Sequence, residues 1–157
     1  MLKCSNRNPS GHKLILLLLL LTTVSCHTLD ANFKIQENLT LSIEAFNDEF
    51  ESKGFNSSAR FVHPDHRSNY MQKAPDMSKR ITFFEATTLE IKFFKDDLRA
   101  VQTPEGPEEG FNRTLVTIRY QVAVLPRTKL KTLIVEQEWV LLGKQWVVVP
   151  DLGVFLK

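Results

Sequence analysis

The stretch Glu138-Trp139-Val140-Leu141-Leu142-Gly143-Lys144-Gln145-Trp146-Val147-Val148 decides the fold of this chain. Two apolar runs, each containing a tryptophan, flank the dipeptide Gly143-Lys144. A two-residue connection that begins with glycine is typical of a β-hairpin, because glycine readily adopts the positive φ that such turns require. The sequence therefore predicts two antiparallel strands that meet at this turn.

The first strand of the hairpin covers residues 130–142, and one set of its alternating residues faces inward: Leu133, Val135, Gln137, Trp139 and Leu141. Three more strands are predicted upstream of it. Apolar residues alternate in the same way over 114–124, and residues 81–94 are rich in β-branched and aromatic side chains. A shorter strand is expected over 98–102. Residues 103–110 are rich in proline, glycine and glutamate, which indicates a solvated acidic loop.

Helices are predicted before the strands. Apolar residues of the first segment recur at helical spacing and form one stripe: Leu39, Ile43, Phe46 and Phe50. Gly54 is expected to end this helix. A short helical turn is expected over 57–62, and a third helix should begin at Pro64, run to about Lys73 and end before Pro75.

This order of elements predicts an α+β domain whose N-terminal helices pack on a curved antiparallel sheet. Together with the tryptophan-containing hairpin over 138–148, the order resembles the nuclear transport factor 2-like, or cystatin-like, superfamily over roughly residues 35–150. The resemblance implies a cystatin-like roll in which helices and concave sheet enclose a cavity. Some members use that cavity as an enzyme pocket, and others use it as a binding site or fill it as core. Residues 35–157 are accordingly assigned to one such domain.

Residues 1–25 have the pattern of a signal peptide. Lys3, Arg7 and Lys13 precede the apolar run from Leu14 to Val24 without an acidic residue. That run is shorter than the roughly 20 residues that a membrane-spanning helix needs. Loss of residues 1–25 would remove three basic residues and no acidic ones, and would change the formal charge from +2 to −1.

The end of this segment, Thr23-Val24-Ser25-Cys26, resembles the bacterial lipobox, whose cysteine is acylated and becomes the new N-terminus. The other cysteine, Cys4, lies in the segment that would be removed, so Cys26 has no partner for an intramolecular disulfide. The resemblance implies an envelope lipoprotein held on the bilayer through Cys26, with 26–34 as a lipidated tether. His27, which is not aspartate, implies the outer membrane.

An ordinary signal peptide cut beside Cys26, and hence a secreted protein, is the alternative. Three sequons begin at Asn38, Asn56 and Asn112. They would matter only in a eukaryotic protein, where a glycosylated secreted product would replace the lipoprotein.

Few residues are candidates for catalysis. The isomerases of the resembled superfamily need a titratable group on the inward face of the sheet. The acidic candidates are poorly placed for that role: Asp76, Glu85, Asp96 and Asp97. We therefore expect a non-enzymatic binding domain without a cofactor. A small cavity enzyme of the ketosteroid-isomerase or dehydratase type and a purely structural envelope protein are the alternatives.

Four residues are candidates to line the implied cavity: Tyr70, Tyr120, Gln137 and Trp139. Gln137 is the polar exception on its inward face. Because buried polar side chains are normally hydrogen-bonded, we interpret it as bonding across the sheet rather than as a ligand contact.

His63 and His66 suggest a metal site, since the imidazoles are three residues apart and Asp65 lies between them. However, Pro64 biases His63 toward extended backbone, and the sequence offers no third ligand, whereas catalytic zinc requires three. We expect no metal here, but a helix cap and a solvent-facing histidine.

Arg127, Lys129 and Lys131 form a basic run that we interpret as protection of a sheet edge rather than as a nucleic-acid site. The expected partners are the lipid bilayer, through acylated Cys26, and an unknown protein or small apolar ligand. No nucleic-acid partner is expected.

Overall fold

The computed structural model describes the backbone of residues 26–104, 106–126 and 129–155, and side chains from Phe33 onward within these ranges. The predicted signal peptide, residues 1–25, and the predicted edge residue Arg127 lie outside the described residues. The helices are α1 (Cys26–Glu51), α2 (Phe55–Ser58) and α3 (Pro64–Arg80), with short 3₁₀ turns at Ala59–Phe61 and Leu152–Phe155.

The strands are β1 (Ile81–Lys95), β2 (Leu98–Arg99), β3 (Gln102–Thr103), β4 (Gly106–Pro107), β5 (Arg113–Val124), β6 (Leu130–Leu142) and β7 (Gln145–Val149). Five of them form an antiparallel sheet in the order β2-β1-β5-β6-β7, and β3 and β4 form a separate ribbon. The predicted α+β class, with helices N-terminal to an antiparallel sheet, is confirmed.

The predicted hairpin joins β6 to β7. Leu142 lies opposite Gln145, and Gly143 between them has a φ of 66°, which a residue with a side chain rarely adopts. Alternation along β6 buries Trp139, and a continuous buried run in β7, Trp146–Val148, includes the second tryptophan. The local turn chemistry and the period-two pattern therefore act together to fix this register.

Helix α1 packs its apolar stripe against the concave face of the sheet. The four predicted residues of the stripe are at most 2% exposed: Leu39, Ile43, Phe46 and Phe50. The rings of Phe46 and Phe50 stack at 5.6 Å, and Phe46 meets the edge of Trp139 at 5.8 Å. Each such side chain contributes about 1.5–3 kcal/mol by burial, so this seam stabilises the helix on the sheet.

Helix α1 begins at Cys26, so the backbone of residues 26–34, expected as a tether, continues the helix. The weak apolar period of this stretch gave no sign of a helix. Phe33 at 66% exposure and exposed Lys34 lie just before Ile35, the first residue of α1 packed on the core among those whose side chains are described. Residues 26–34 of α1 therefore precede the described packing of this helix on the core.

The expected end of α3 before Pro75 was wrong, because the helix continues to Arg80. Ala74 and Met77 are fully buried beside Pro75, and the Ser78 hydroxyl donates to the Pro75 carbonyl at 2.8 Å. Packing on this face offsets the hydrogen bond that proline cannot donate.

The expected loop over 103–110 is also more structured than predicted. Gly106 and Pro107 pair with Thr103 and Gln102, and Pro107 is buried. Gly106 has a φ of 127°, a conformation that glycine adopts without strain. The expected strand over 98–102 is interrupted at buried Ala100, which separates β2 from β3.

Candidate functional site

A hydrogen-bonded polar cluster lies in the centre of the domain. The Gln137 side-chain amide donates to the Tyr120 hydroxyl oxygen at 2.8 Å and to the Asn47 side-chain carbonyl at 2.9 Å. The Tyr120 hydroxyl also donates to Asn47, and the Trp139 indole N–H donates to Gln137 at 3.1 Å. All four residues are at most 5% exposed. The prediction that Gln137 bonds across the sheet is confirmed.

Burial raises the pKa of Tyr120 well above its usual range, and the carboxylate of Glu51 adds to the rise. Burial likewise raises the pKa of Tyr70 to about 12, although a hydrogen bond with Ser58 at 2.7 Å opposes the rise. Both phenols therefore stay protonated at neutral pH. As neutral hydrogen-bonding groups, Tyr120 connects α1 to the sheet and Tyr70 connects α3 to α2.

An aromatic side chain closes the concave face from the C-terminal end. The Phe155 ring lies 5.3 Å from Tyr120, 5.5 Å from Phe50 and 5.6 Å from Phe83. Aromatic pairs at these separations contribute about 0.5–1.5 kcal/mol each beyond simple burial. The space beside the polar cluster is thus packed with aromatic rings contributed by α1, β1, β5 and the last 3₁₀ turn.

An open groove of about 690 Å³ lies outside this aromatic packing. Its apolar lining has two parts: Leu133, Val154 and Phe155, called the floor below, and four residues at the end of β5, in the turn after it and at the start of β6, Val124, Leu125, Pro126 and Leu130. The volume is within the roughly 300–1,000 Å³ of small-molecule sites. None of the four predicted cavity residues lines this groove, since Tyr70, Tyr120, Gln137 and Trp139 lie in the packed interior.

Within the part of the chain that the structure describes, three cations border the groove: Arg80, Lys129 and Lys131. All three residues are exposed. Among the described residues, no carboxylate oxygen lies within 4 Å of their side-chain nitrogens. The groove is therefore both apolar and positively charged. The basic run at residues 127–131 was the signal in the sequence, but it did not reveal that Arg80 and the C-terminal turn complete the surface.

Helix α1 connects the two poles of the domain. Near its start, the Ile35 carbonyl accepts a hydrogen bond from the Trp146 indole at 3.1 Å, close to the turn between β6 and β7. Near its end, Phe50 packs on Phe155 beside the groove. Since β6 is about 40 Å long from Leu130 to Leu142, the groove and the start of α1 lie at opposite ends of the sheet.

The acidic candidates are engaged at the surface. Asp76 pairs with Lys79 at 3.0 Å, and Glu85 approaches Arg119 at 3.5 Å. Asp97 approaches Arg113 at 3.7 Å, while the carboxylate of Asp96 accepts a hydrogen bond from Asn112 at 2.9 Å. None of these contacts places a carboxylate in the interior.

Glu51, a carboxylate near the polar cluster, was not among the residues predicted from the sequence. Partial burial raises the pKa of Glu51 above its usual 4.5, and the Asp48 carboxylate adds to the rise. Glu51 lines a pocket of only about 90 Å³ between α1 and the sheet. Such a pocket holds a few water molecules and is smaller than the roughly 300 Å³ that small-molecule sites need.

His63 is the N-cap of α3, and its ring nitrogen Nδ1 accepts from the Asp65 backbone N–H at 3.3 Å. His66 is exposed, with its ring 5.8 Å from that of His63. The predicted cap and solvent-facing histidine are confirmed. Within residues that the structure describes, no three histidine, cysteine or acidic side chains are grouped to hold a metal ion.

None of the helices in the described ranges combines the length and apolar character that a bilayer crossing requires. No protein-family model matches the chain, and no curated protein sequence matches it at a significant level.

Proposed function

We propose that this protein is an envelope lipoprotein, anchored through acylated Cys26, whose nuclear transport factor 2-like domain binds a ligand or partner in the groove without catalysing a reaction. The anchor and the superfamily are carried over from the sequence resemblances. The groove, with its apolar floor and three cations, is the observation that supports a binding role.

The interior favours binding over catalysis. Tyr120, Gln137 and Asn47 satisfy one another, so their polar atoms are committed to internal hydrogen bonds. Phe155 and its aromatic neighbours occupy the space that a substrate would need. Glu51, the acid with a raised pKa, faces a pocket too small for a substrate. Binding at the outer groove requires no rearrangement of this packing.

The positions of anchor and groove fit a tethered binding module. The helix that begins at Cys26 starts beyond the pole formed by Ile35 and Trp146. Since the groove opens at the other pole, attachment of a lipid to Cys26 would leave the groove directed away from the bilayer. Two acyl chains on one cysteine hold a protein stably on a membrane, because each buried methylene contributes about 0.8 kcal/mol.

Photo-crosslinking in the native host tests the groove. A photoreactive phenylalanine analogue replaces Leu130, which lines the groove, or Leu98, which is 78% exposed on β2 and serves as the control. We expect a discrete adduct from position 130 only. Lys131→Glu should abolish that adduct, whereas Lys144→Glu, a charge reversal at the opposite pole, should preserve it. Equal adducts from both positions, or an adduct indifferent to Lys131→Glu, would refute the groove as the binding site.

A further inference from the structure

Strand β6 has an open edge next to the groove. β5 pairs with β6 from Leu130 to Val140, but β7 covers only Glu138–Leu142 on the other side. Among the described residues, no strand pairs with that side of residues 130–137. This leaves an unpaired edge about 20–25 Å long.

The alternation of hydrogen bonds identifies which backbone groups face the open edge. Leu141 donates its N–H to Asn112 on the β5 side. Residues of an antiparallel strand bond alternately to their two neighbours, so the odd-numbered residues of β6 bond toward β5. The even-numbered residues therefore direct N–H and C=O groups to the open edge: Leu130, Thr132, Ile134 and Glu136.

The other long edge of the sheet, on β1, is built differently. Pairing of β1 with β5 shifts register between Phe83 and Glu85 and again between Thr88 and Glu90. Such register shifts interrupt the regular spacing of backbone groups along an edge and discourage the addition of another strand. β6, in contrast, pairs with β5 residue by residue, and its edge includes Ile134 at 53% exposure. The basic residues interpreted from the sequence as protecting an edge would repel a basic strand but attract an acidic one, so this regular, partly apolar edge is a template for adding an acidic strand.

The groove gives this edge a side-chain specificity. Lys131 and Leu133 point from β6 into the groove, and a strand laid beside them would direct every second side chain to the same side. Apolar side chains of that strand would contact Leu133 and Val154. Carboxylates of that strand would meet Arg80, Lys129 and Lys131, which have no carboxylate partner within 4 Å among the described residues, whereas a basic strand would be repelled by them.

We propose that the groove receives an extended, acidic and apolar segment of a partner protein, which adds as a strand to residues 130–136 of β6. Backbone hydrogen bonds to the even-numbered residues supply the binding energy, and the groove selects side chains. This inference rests on the proposed binding function and names the class of its partner.

Synthetic peptides test the proposal. The probe is a library of ten-residue peptides that alternate acidic residues with Val, Ile, Leu or Phe, and its matched control carries Lys or Arg at the acidic positions. Peptides selected from the acidic library should bind at least about tenfold more tightly than their charge-reversed versions, a difference of about 1.4 kcal/mol. Binding should slow hydrogen exchange at Thr132, Ile134 and Glu136, but not at Leu133 and Val135, which already bond to β5.

Backbone methylation separates strand addition from side-chain binding. N-methylation of the alternate peptide amides that face β6 should weaken binding by about tenfold or more, while methylation of the intervening amides should be tolerated. On the protein, Thr132→Pro should have the same effect and Thr132→Ala should not. If Thr132→Pro fails to fold, the peptide series still decides. The proposal would be overturned if peptides methylated at the amides that face β6 bound as tightly as peptides methylated at the intervening amides.

Two further outcomes also contradict strand addition. If hydrogen exchange at the even-numbered amides of β6 slows as the protein concentration rises, in the absence of peptide, the edge is occupied by a second copy of the chain. If no peptide is selected but dodecanoate binds, and Lys131→Glu abolishes that binding, then the groove is a binding site but no strand adds to β6. Failure of peptides and dodecanoate alike, together with no crosslinked adduct, would remove the proposed function as well.

Discussion

The side-chain amide of Gln137 lies 2.8 Å from the hydroxyl oxygen of Tyr120, and both groups are buried between α1 and the sheet. Gln137 lies on β6, Tyr120 on β5, and Asn47, which accepts from both, on α1. One cluster thus connects two strands and a helix. Because buried polar groups are costly to leave unpaired, it specifies how α1 sits on the sheet.

Replacement of Gln137 by leucine should destabilise the domain. The change keeps the volume but leaves the Trp139 indole N–H without its acceptor, at a cost of about 1–3 kcal/mol. Urea unfolding followed by circular dichroism measures the difference. Glu136→Gln, at an exposed position of the same strand, is the control and should change stability by less than about 0.5 kcal/mol. An unchanged midpoint for Gln137→Leu would mean that the cluster contributes nothing to stability.

Removal of the Phe155 ring should both destabilise the domain and open its interior. Phe155→Ala deletes contacts with Phe50, Phe83 and Tyr120, and such substitutions cost about 3–5 kcal/mol. We expect a lower unfolding midpoint and new binding of a hydrophobic dye. Leu98→Ala, which removes an exposed side chain, should do neither. A Phe155→Ala protein as stable as wild type would show that the ring does not close the concave face.

Glu51 should make the domain less stable at neutral pH than at acidic pH. Its folded-state pKa is raised above 4.5, mainly by burial, so the folded protein binds the proton more tightly than the unfolded chain does. The stability that this provides is present below the unfolded pKa and is lost as the pH rises through the folded pKa.

Glu51→Gln tests this expectation, since it removes the ionisation. The variant should be more stable than wild type at pH 7, and the difference should shrink as the pH falls toward 4.5. Glu37→Gln, at an exposed position of α1, should leave the pH profile of stability unchanged. A Glu51→Gln variant whose stability follows the wild-type pH profile would rule out this assignment.

The groove should lie farther from the membrane than the hairpin turn does. Single cysteines at Leu130 and at Lys144, each carrying a fluorophore, would report this in the lipidated protein on vesicles with a quencher on the lipid headgroups. The Lys144 position should be quenched more strongly, because it lies at the pole where α1 begins. Stronger quenching at position 130 would place the groove on the membrane instead.

The sequence predicted the elements that depend on local patterns. The hairpin at Gly143 and the inward face of β6 follow from turn chemistry and alternation, and the stripe from Leu39 to Phe50 follows from helical spacing. Where tertiary packing overrides local preference, prediction failed. Pro75 should end a helix by its own chemistry, but buried Ala74 and Met77 carry α3 past it.

The candidate site was less predictable than the fold because its parts are far apart in the chain. Gln137 was identified as a polar exception, but its acceptor Asn47 lies 90 residues away. The groove likewise brings Arg80 together with the ends of β5 and β6 and with Phe155. No local period encodes such a combination. Its one sequence signal, the basic run ending at Lys131, indicated an edge but not the apolar floor beside it.

Attachment through Cys26 is the claim on which the proposed location and orientation depend, and metabolic labelling with a fatty acid tests it most directly. Wild-type protein and Cys26→Ser are expressed in the native host with a labelled fatty acid, purified under denaturing conditions, and compared for bound label. We predict that the wild-type protein carries the label and that Cys26→Ser carries none. Label that survives the substitution, or a wild-type protein without label, would contradict the lipoprotein assignment.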